Sequence, residues 1–144
     1  MNSSVVIDAN LAVYSVIKTP HSMTAARLMD HLAQRGCEPF APGLWWYEVT
    51  SVIHRYRFAG IIPDEIAYQA LDLLTVNLGV QKVDVSVRIA FDWATRLSQK
   101  AAYDGFYLAA AEQLGAEFWT ADQALVNNVR QTGISWAHWM GEVN

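Results

Sequence analysis

Ser4-Val5-Val6-Ile7-Asp8 is the stretch on which the fold turns. It is a short apolar run rich in β-branched residues, which reads as a buried strand, and it stops at a carboxylate. Working outward, residues 10–17 read as a short helix before Pro20. Residues 22–35 follow as a helix, with Ser22 as its cap, apolar Met23, Ala26, Leu28, Met29 and Leu32, and Gly36 as its stop. Residues 37–41 read as a short strand. Pro42 or Gly43 opens a helix that runs to Phe58, with Gly60 beyond it as a left-handed cap. Pro63-Asp64-Glu65 begins the next helix, with Pro at the first position and acids in the first turn, and that helix ends near Gly79. Val80 to Val85 reads as a strand and 86–100 as a helix. Residues 103–114 form a helix that stops at Gly115. Glu117 to Thr120 is a strand, 122–131 a helix ending before Gly133, and 134–137 a last short strand.

Strands that alternate with helices predict an α/β fold with helices on both faces of a mostly parallel central sheet of four or five strands, a three-layer α/β/α sandwich. The 144 residues, free of repeats and low-complexity tracts, read as one domain spanning 1–144. With 53% hydrophobic and 17% charged residues, the chain has what it needs for a core. A single cysteine, Cys37, excludes an intrachain disulfide and a paired-cysteine metal site, and points to a reducing cytoplasm. The N-terminus has no basic region, and no stretch reaches the length of a membrane span. Net charge is −4, from ten Lys and Arg against fourteen Asp and Glu. An acidic balance is a poor start for binding nucleic acid. Setting aside the four carboxylates discussed next leaves ten against ten, so the acidity does not exclude a phosphate-bearing substrate.

In open α/β sheets, ligands bind outside the carboxyl ends of the strands. Asp8 lies at one such end, and Asp122 lies two residues past the strand Glu117–Thr120. An Asp-Ala-Asn turn is the ordinary account of Asp8; the sharper one is that Asp8 and Asn10 leave the strand end as a pair of oxygen ligands. Asp104 sits in the first turn of a helix, where an acid is ordinary because the helix N-terminus favours negative charge. Glu48 sits mid-helix with Leu44 and Val52 four residues to either side. A carboxylate there is costly to bury unless it is paired or bound to metal, although a narrow solvated stripe of Glu48, Ser51 and Arg55 is a simpler account. Together the four can face one crevice. Gathered carboxylates repel, and a hard cation with oxygen ligands, Mg²⁺ or Mn²⁺, relieves that; no His/Cys cluster favours zinc.

These residues also resemble a known family. Val6-Ile7-Asp8-Ala9-Asn10 resembles the opening strand and first aspartate of PIN domains, and Glu48 resembles their helical glutamate. Tyr103-Asp104-Gly105-Phe106-Tyr107-Leu108-Ala109-Ala110-Ala111 is similar to the family's Asp-led helix. Trp119-Thr120-Ala121-Asp122-Gln123-Ala124-Leu125 is similar to its last acidic segment. Size and element order resemble the stand-alone bacterial toxins of the VapC type. Gly105 departs from the usual Ala, at roughly 1 kcal/mol of helix propensity.

The resemblance implies a PIN-like fold and an endoribonuclease that acts as the toxin of a type II toxin–antitoxin pair. It implies a homodimer bound by a small antitoxin, and RNA cleavage that leaves a 5′-phosphate and a 3′-hydroxyl. Asp8 and Asp104 are then the first metal ligands. Asp122 binds the ion directly or through water, and Glu48 holds a second ion or positions the attacking water. Asn10 and Thr120 support these groups by hydrogen bonds. Arg55, Arg57, Lys100 and Lys18 are candidates for contacts to the RNA backbone, against the ordinary reading of solvated surface charge. Trp93, Trp136 and Trp139 read as packing, and the four histidines receive no role. Two rivals remain: a PIN-like module that binds RNA or protein without cleaving, and an aspartate-based phosphatase with Asp8 as nucleophile. The second lacks a well-placed lysine.

Overall fold

The computed structural model describes residues Ser3–Val143; Met1, Asn2 and Asn144, which bear on the reading of the N-terminus and of the domain limits, lie outside the described residues. Five strands form one sheet: β1 Ser4–Ile7, β2 Glu38–Pro42, β3 Gln81–Val83, β4 Glu117–Thr120 and β5 Ala137–Trp139. The helices are α1 Ala9–Val16, α2 Ser22–Gln34, α3 Leu44–Phe58, α4 Asp64–Asp72, α5 Val87–Arg96, α6 Tyr103–Leu114 and α7 Gln123–Arg130. Every strand pair is parallel, and the order is β3-β2-β1-β4-β5. The chain therefore builds outward from β1 in one direction, then returns to place β4 on its other side. The switch point lies between β1 and β4, with Ile7 opposite Trp119.

Past Ser4, β1 is apolar because both of its faces are covered: Val5, Val6 and Ile7 are all buried. α6 packs across β1, β2 and β4, and α5 packs on α6. Its run Leu108-Ala109-Ala110-Ala111 is wholly buried, small side chains letting the helix lie close to the sheet. β2 tolerates Pro39 in an inner position for a local reason. Glu38 N–H donates to Ser3 O, so strand alternation turns Pro39 away from β1, toward a flank where β3 has not yet begun.

Several boundaries differ from the sequence reading. The third strand covers only Gln81–Val83, because the Asp84 carbonyl accepts from the Gln113 side chain and Ser86 caps α5. α5 ends at Arg96 rather than 100, and Ser98 adopts a left-handed backbone (φ 54°) that turns the chain toward α6. The fourth helical segment is α4 followed by a π-helical turn, Leu73–Asn77. The last strand is Ala137–Trp139, not 134–137. Trp136 instead packs edge-on against Trp93, and Phe118 N–H takes its carbonyl just before pairing starts. Ser22 is inside α2; its hydroxyl accepts from Thr19 N–H and donates to the Ile17 carbonyl, which fixes the preceding turn instead of capping the helix.

Candidate active site

Four elements deliver four carboxylates to a crevice of about 70 Å³ at the carboxyl end of the sheet, lined by Asp8, Asn10, Glu48, Asp104, Tyr107 and Asp122 with Ala9 and Leu125. Asp8 leaves β1 at the switch point. Its Oδ1 accepts from Leu11 N–H at 2.9 Å and so caps α1, while its Oδ2 accepts from the Thr120 hydroxyl. Asp122 caps α7 in the same way, accepting from Leu125 N–H at 3.0 Å. Thr120, 0% exposed, ties the two strand ends together: its hydroxyl donates to Asp8 and accepts from Asp122 N–H at 3.0 Å. Asp8 and Asp122 thus each cap a helix and also line the crevice.

Asp104 does not cap its helix. Ala102 occupies the cap position of α6 without a side-chain bond, and Asp104 Oδ2 accepts from the Gln99 amide at 2.9 Å instead. That amide is supplied by the turn after α5. Glu48, half-buried on α3, accepts at Oε1 from the Tyr107 hydroxyl at 2.6 Å. Tyr107 is 3% exposed, stacks on Phe118 with centroids 5.9 Å apart, and stands one helical turn beyond Asp104. Neither Gln99 nor Tyr107 carried a role in the sequence reading. The i,i+3 spacing of Asp104 and Tyr107 was the available signal for the tyrosine; nothing in the sequence singles out Gln99.

The electrostatics agree with the crowding. Burial pushes the Asp8 carboxyl up from its usual 3.8 to about 6; the Thr120 and Leu11 donors pull the other way, and Glu48 adds to the rise. Burial also raises Glu48, against the Tyr107 bond, with Asp104 raising it further and Arg55 lowering it. Asp104 is raised by burial, against the Gln99 bond, and by the charge of Asp122. Such a set favours a counter-charge.

Among the described residues no three His, Cys, Asp or Glu side chains converge as a ready-made metal cage. The donors still suit one class of ion. They are all oxygens, and Mg²⁺ is held through one or two carboxylates plus water and substrate phosphate, not by an all-protein cage. Asn10 is exposed on the first turn of α1 and lines the same crevice. Arg55 is exposed two turns along α3 from Glu48, beside Asn10 and Glu48. Arg57 is engaged elsewhere, with Asp64 at 3.9 Å, His54 at 3.1 Å and the Tyr68 ring at 5.6 Å. Lys18 and Lys100 are exposed but do not line the crevice. His138, given no role, stacks on Trp119 and lies between Glu117 and Glu142, at 3.2 and 3.3 Å.

The sequence pattern of the PIN domain matches residues 5–130, which takes in all four carboxylates. The chain belongs to the PIN-domain family. PIN domains are generally nucleases and typically use divalent metal ions. The fold is similar to a solved structure: the crystal structure of PAE2754 from Pyrobaculum aerophilum superposes with a TM-score of 0.63 at 17% identity, covering 97% of this chain and 92% of that one. No curated protein matches the sequence. Among the described residues of this PIN domain, no helix is long and apolar enough to cross a membrane.

Proposed function

We propose that this PIN domain is a Mg²⁺- or Mn²⁺-dependent endoribonuclease acting as the toxin of a VapC-type toxin–antitoxin pair, a cytoplasmic homodimer held in check by a small antitoxin protein. The observation that carries the nuclease reading is the gathering of Asp8, Glu48, Asp104 and Asp122 from four separate elements onto one crevice, where three of them are driven toward protonation. The toxin, antitoxin and dimer assignments rest on resemblance in motif and size to VapC-type proteins.

A bound divalent ion lowers the pKa of a water and neutralises charge on the phosphate. Asp8 and Asp104 are the side chains that would hold it, and Asp122, which lines the same crevice, would add direct or water-mediated support. Thr120 fixes the Asp8 carboxylate through Oδ2, so the group cannot swing out of the crevice. Tyr107 fixes Glu48 through Oε1 and leaves Oε2 to orient a water or a second ion. Gln99 aims Asp104 from outside. With that ion bound, the carboxylates would orient the water whose oxygen bonds to phosphorus as the P–O3′ bond breaks, and the 3′ oxygen would leave as a hydroxyl with the 5′-phosphate on the other product.

The test is cleavage of structured and single-stranded RNAs by the purified protein with Mn²⁺, Mg²⁺ or EDTA, beside Asp8→Ala. Ion-dependent cleavage that vanishes in Asp8→Ala is the expected result. A folded wild type that cleaves none of the RNAs with either ion removes the catalytic reading.

A further inference from the structure

The carboxylate crevice does not end at Glu48. It shares Ala9, Asn10 and Glu48 with a cavity of about 120 Å³ that also reaches Ser51, Val52 and Arg55. That cavity in turn shares Asn10, Val52 and Arg55 with a groove of about 470 Å³ between α1 and α3, whose walls include Tyr14 and Tyr56. The groove has the size of a ligand site, for which roughly 300–1,000 Å³ is usual.

Its donors make no close bond within the protein among the described residues, although the Arg55 charge acts on Glu48. Arg55 has no ion pair within 4 Å among the described residues, although Arg57, two positions on, is paired with Asp64. The hydroxyls of Tyr14 and Tyr56 have no hydrogen-bond partner among the described residues. Both line the same groove, and burial raises the Tyr14 phenol, with Tyr56 and Asp8 adding to the rise. An unpaired guanidinium and two free phenols on a path leading from four carboxylates form a donor-rich surface beside an acceptor-rich one. A phosphodiester chain lying across the crevice needs that: acceptors for cations at the cleaved phosphate, and donors for the next phosphate along.

Resting on the ribonuclease reading above, we propose that this groove binds the nucleotide adjoining the scissile phosphate, with Arg55 donating to its phosphate and the Tyr14 and Tyr56 hydroxyls donating to phosphate or ribose oxygens. Arg55 and Glu48 share one helix two turns apart, so α3 sets the spacing between the cleaved phosphate and the held one. The strand enters the crevice along α3.

The experiment titrates a labelled single-stranded RNA, on the order of 12 nucleotides long to exceed one binding register, with the whole protein in Ca²⁺ as salt rises from about 50 to 200 mM. Arg55→Met keeps the aliphatic stem and removes the charge. It is expected to bind roughly tenfold more weakly, as for one lost charge-assisted hydrogen bond, and to flatten the slope of log affinity against log salt by about 0.7, as for one lost phosphate contact. Arg55→Lys is expected to restore the slope without the full affinity, since the point charge returns but not the fork. Tyr56→Phe weakens binding at unchanged slope. Arg27→Met, on α2 and outside these cavities, changes neither. An unchanged affinity and slope in folded Arg55→Met, in a protein whose wild type still cleaves RNA with Mn²⁺, overturns the groove and leaves the nuclease standing. A wild type that neither binds nor cleaves RNA overturns both.

Discussion

Asp8 serves three structural ends with two oxygens. It caps α1, anchors the Thr120 hydroxyl, and faces the crevice, and burial opposes its charge throughout. The consequence for stability can be signed. A carboxyl near 6 when folded and at its usual 3.8 when unfolded binds more protons in the folded state between those values. The ion-free protein therefore loses stability as pH rises through that window, and the charged Asp8 opposes folding most strongly above it. Asp8→Asn removes the titration. In EDTA, thermal melts are expected to show the variant gaining on the wild type as pH rises from about 4 to 7, by on the order of 2 kcal/mol for a shift of this size, while ion-dependent cleavage is lost. A gap between variant and wild type that does not move with pH would show that the carboxyl is not held up by its surroundings. The same scale marks where sequence reading stops. Glu48 stood out as a carboxylate on an apolar helix, but its partner Tyr107 is 59 residues away, a pairing that only the packing of α6 against α3 and the sheet brings about.

At the scale of elements, the Gly105 substitution in the Asp-led helix changes meaning. From sequence it is a loss of helix propensity. In the fold, a Cβ at Gly105 would stand 2.3 Å from the Ala90 carbonyl oxygen on α5, and 3.1 Å from its carbon. The two helices approach so closely there that only a glycine fits, and the backbone it would strike has no rotamer by which to yield. Gly105→Ala should therefore lower stability by about 1–3 kcal/mol, the usual cost of overpacking, despite its better intrinsic propensity. A melting temperature that rises instead would show that α5 can shift without loss. Shifting α5 also moves the turn that carries Gln99, so the same variant tests how far Asp104 depends on that turn. The strand boundaries make a related point. Residues 134–136 have the apolar pattern of a strand, but Trp136 is consumed by its packing on Trp93, and pairing with β4 begins only at Ala137. Apolar pattern reports burial; the register of β4 decides which buried residues become strand.

At the scale of the molecule, the order β3-β2-β1-β4-β5 places Asp8 and Asp122 on either side of the switch point, with Thr120 between them, and α3 and α6 bring Glu48 and Asp104 in from the helical layers. A crevice assembled from four elements is tied to the integrity of the whole fold, so an ion that binds there stabilises all of it. Mn²⁺ or Mg²⁺ is expected to raise the melting temperature of the wild type, by the equivalent of about 2.7 kcal/mol at a hundredfold excess over Kd, and EDTA to reverse the gain. Asp104→Ala should abolish the response. A wild type indifferent to both ions would favour a domain that binds without cleaving.

The sequence alone determined the alternation of strands and helices, the β-branched run that had to be a doubly covered central strand, and the identity of the acids at the strand ends. Each of these is local: it follows from side-chain period, from β-branching, and from where an apolar run meets a charge. Tertiary structure alone decided that Tyr107 and Gln99 hold Glu48 and Asp104, and which carboxylate takes the Thr120 hydroxyl that the resemblance had already marked as a support. Tyr107 on Glu48, Gln99 on Asp104 and Thr120 bridging Asp8 to Asp122 span separate elements, as does the contact that makes Gly105 obligatory. Hydrogen bonds and steric contacts act over a few ångströms in space, whatever the separation along the chain. Their partners are fixed only once the sheet order and the seating of α3, α5 and α6 are settled.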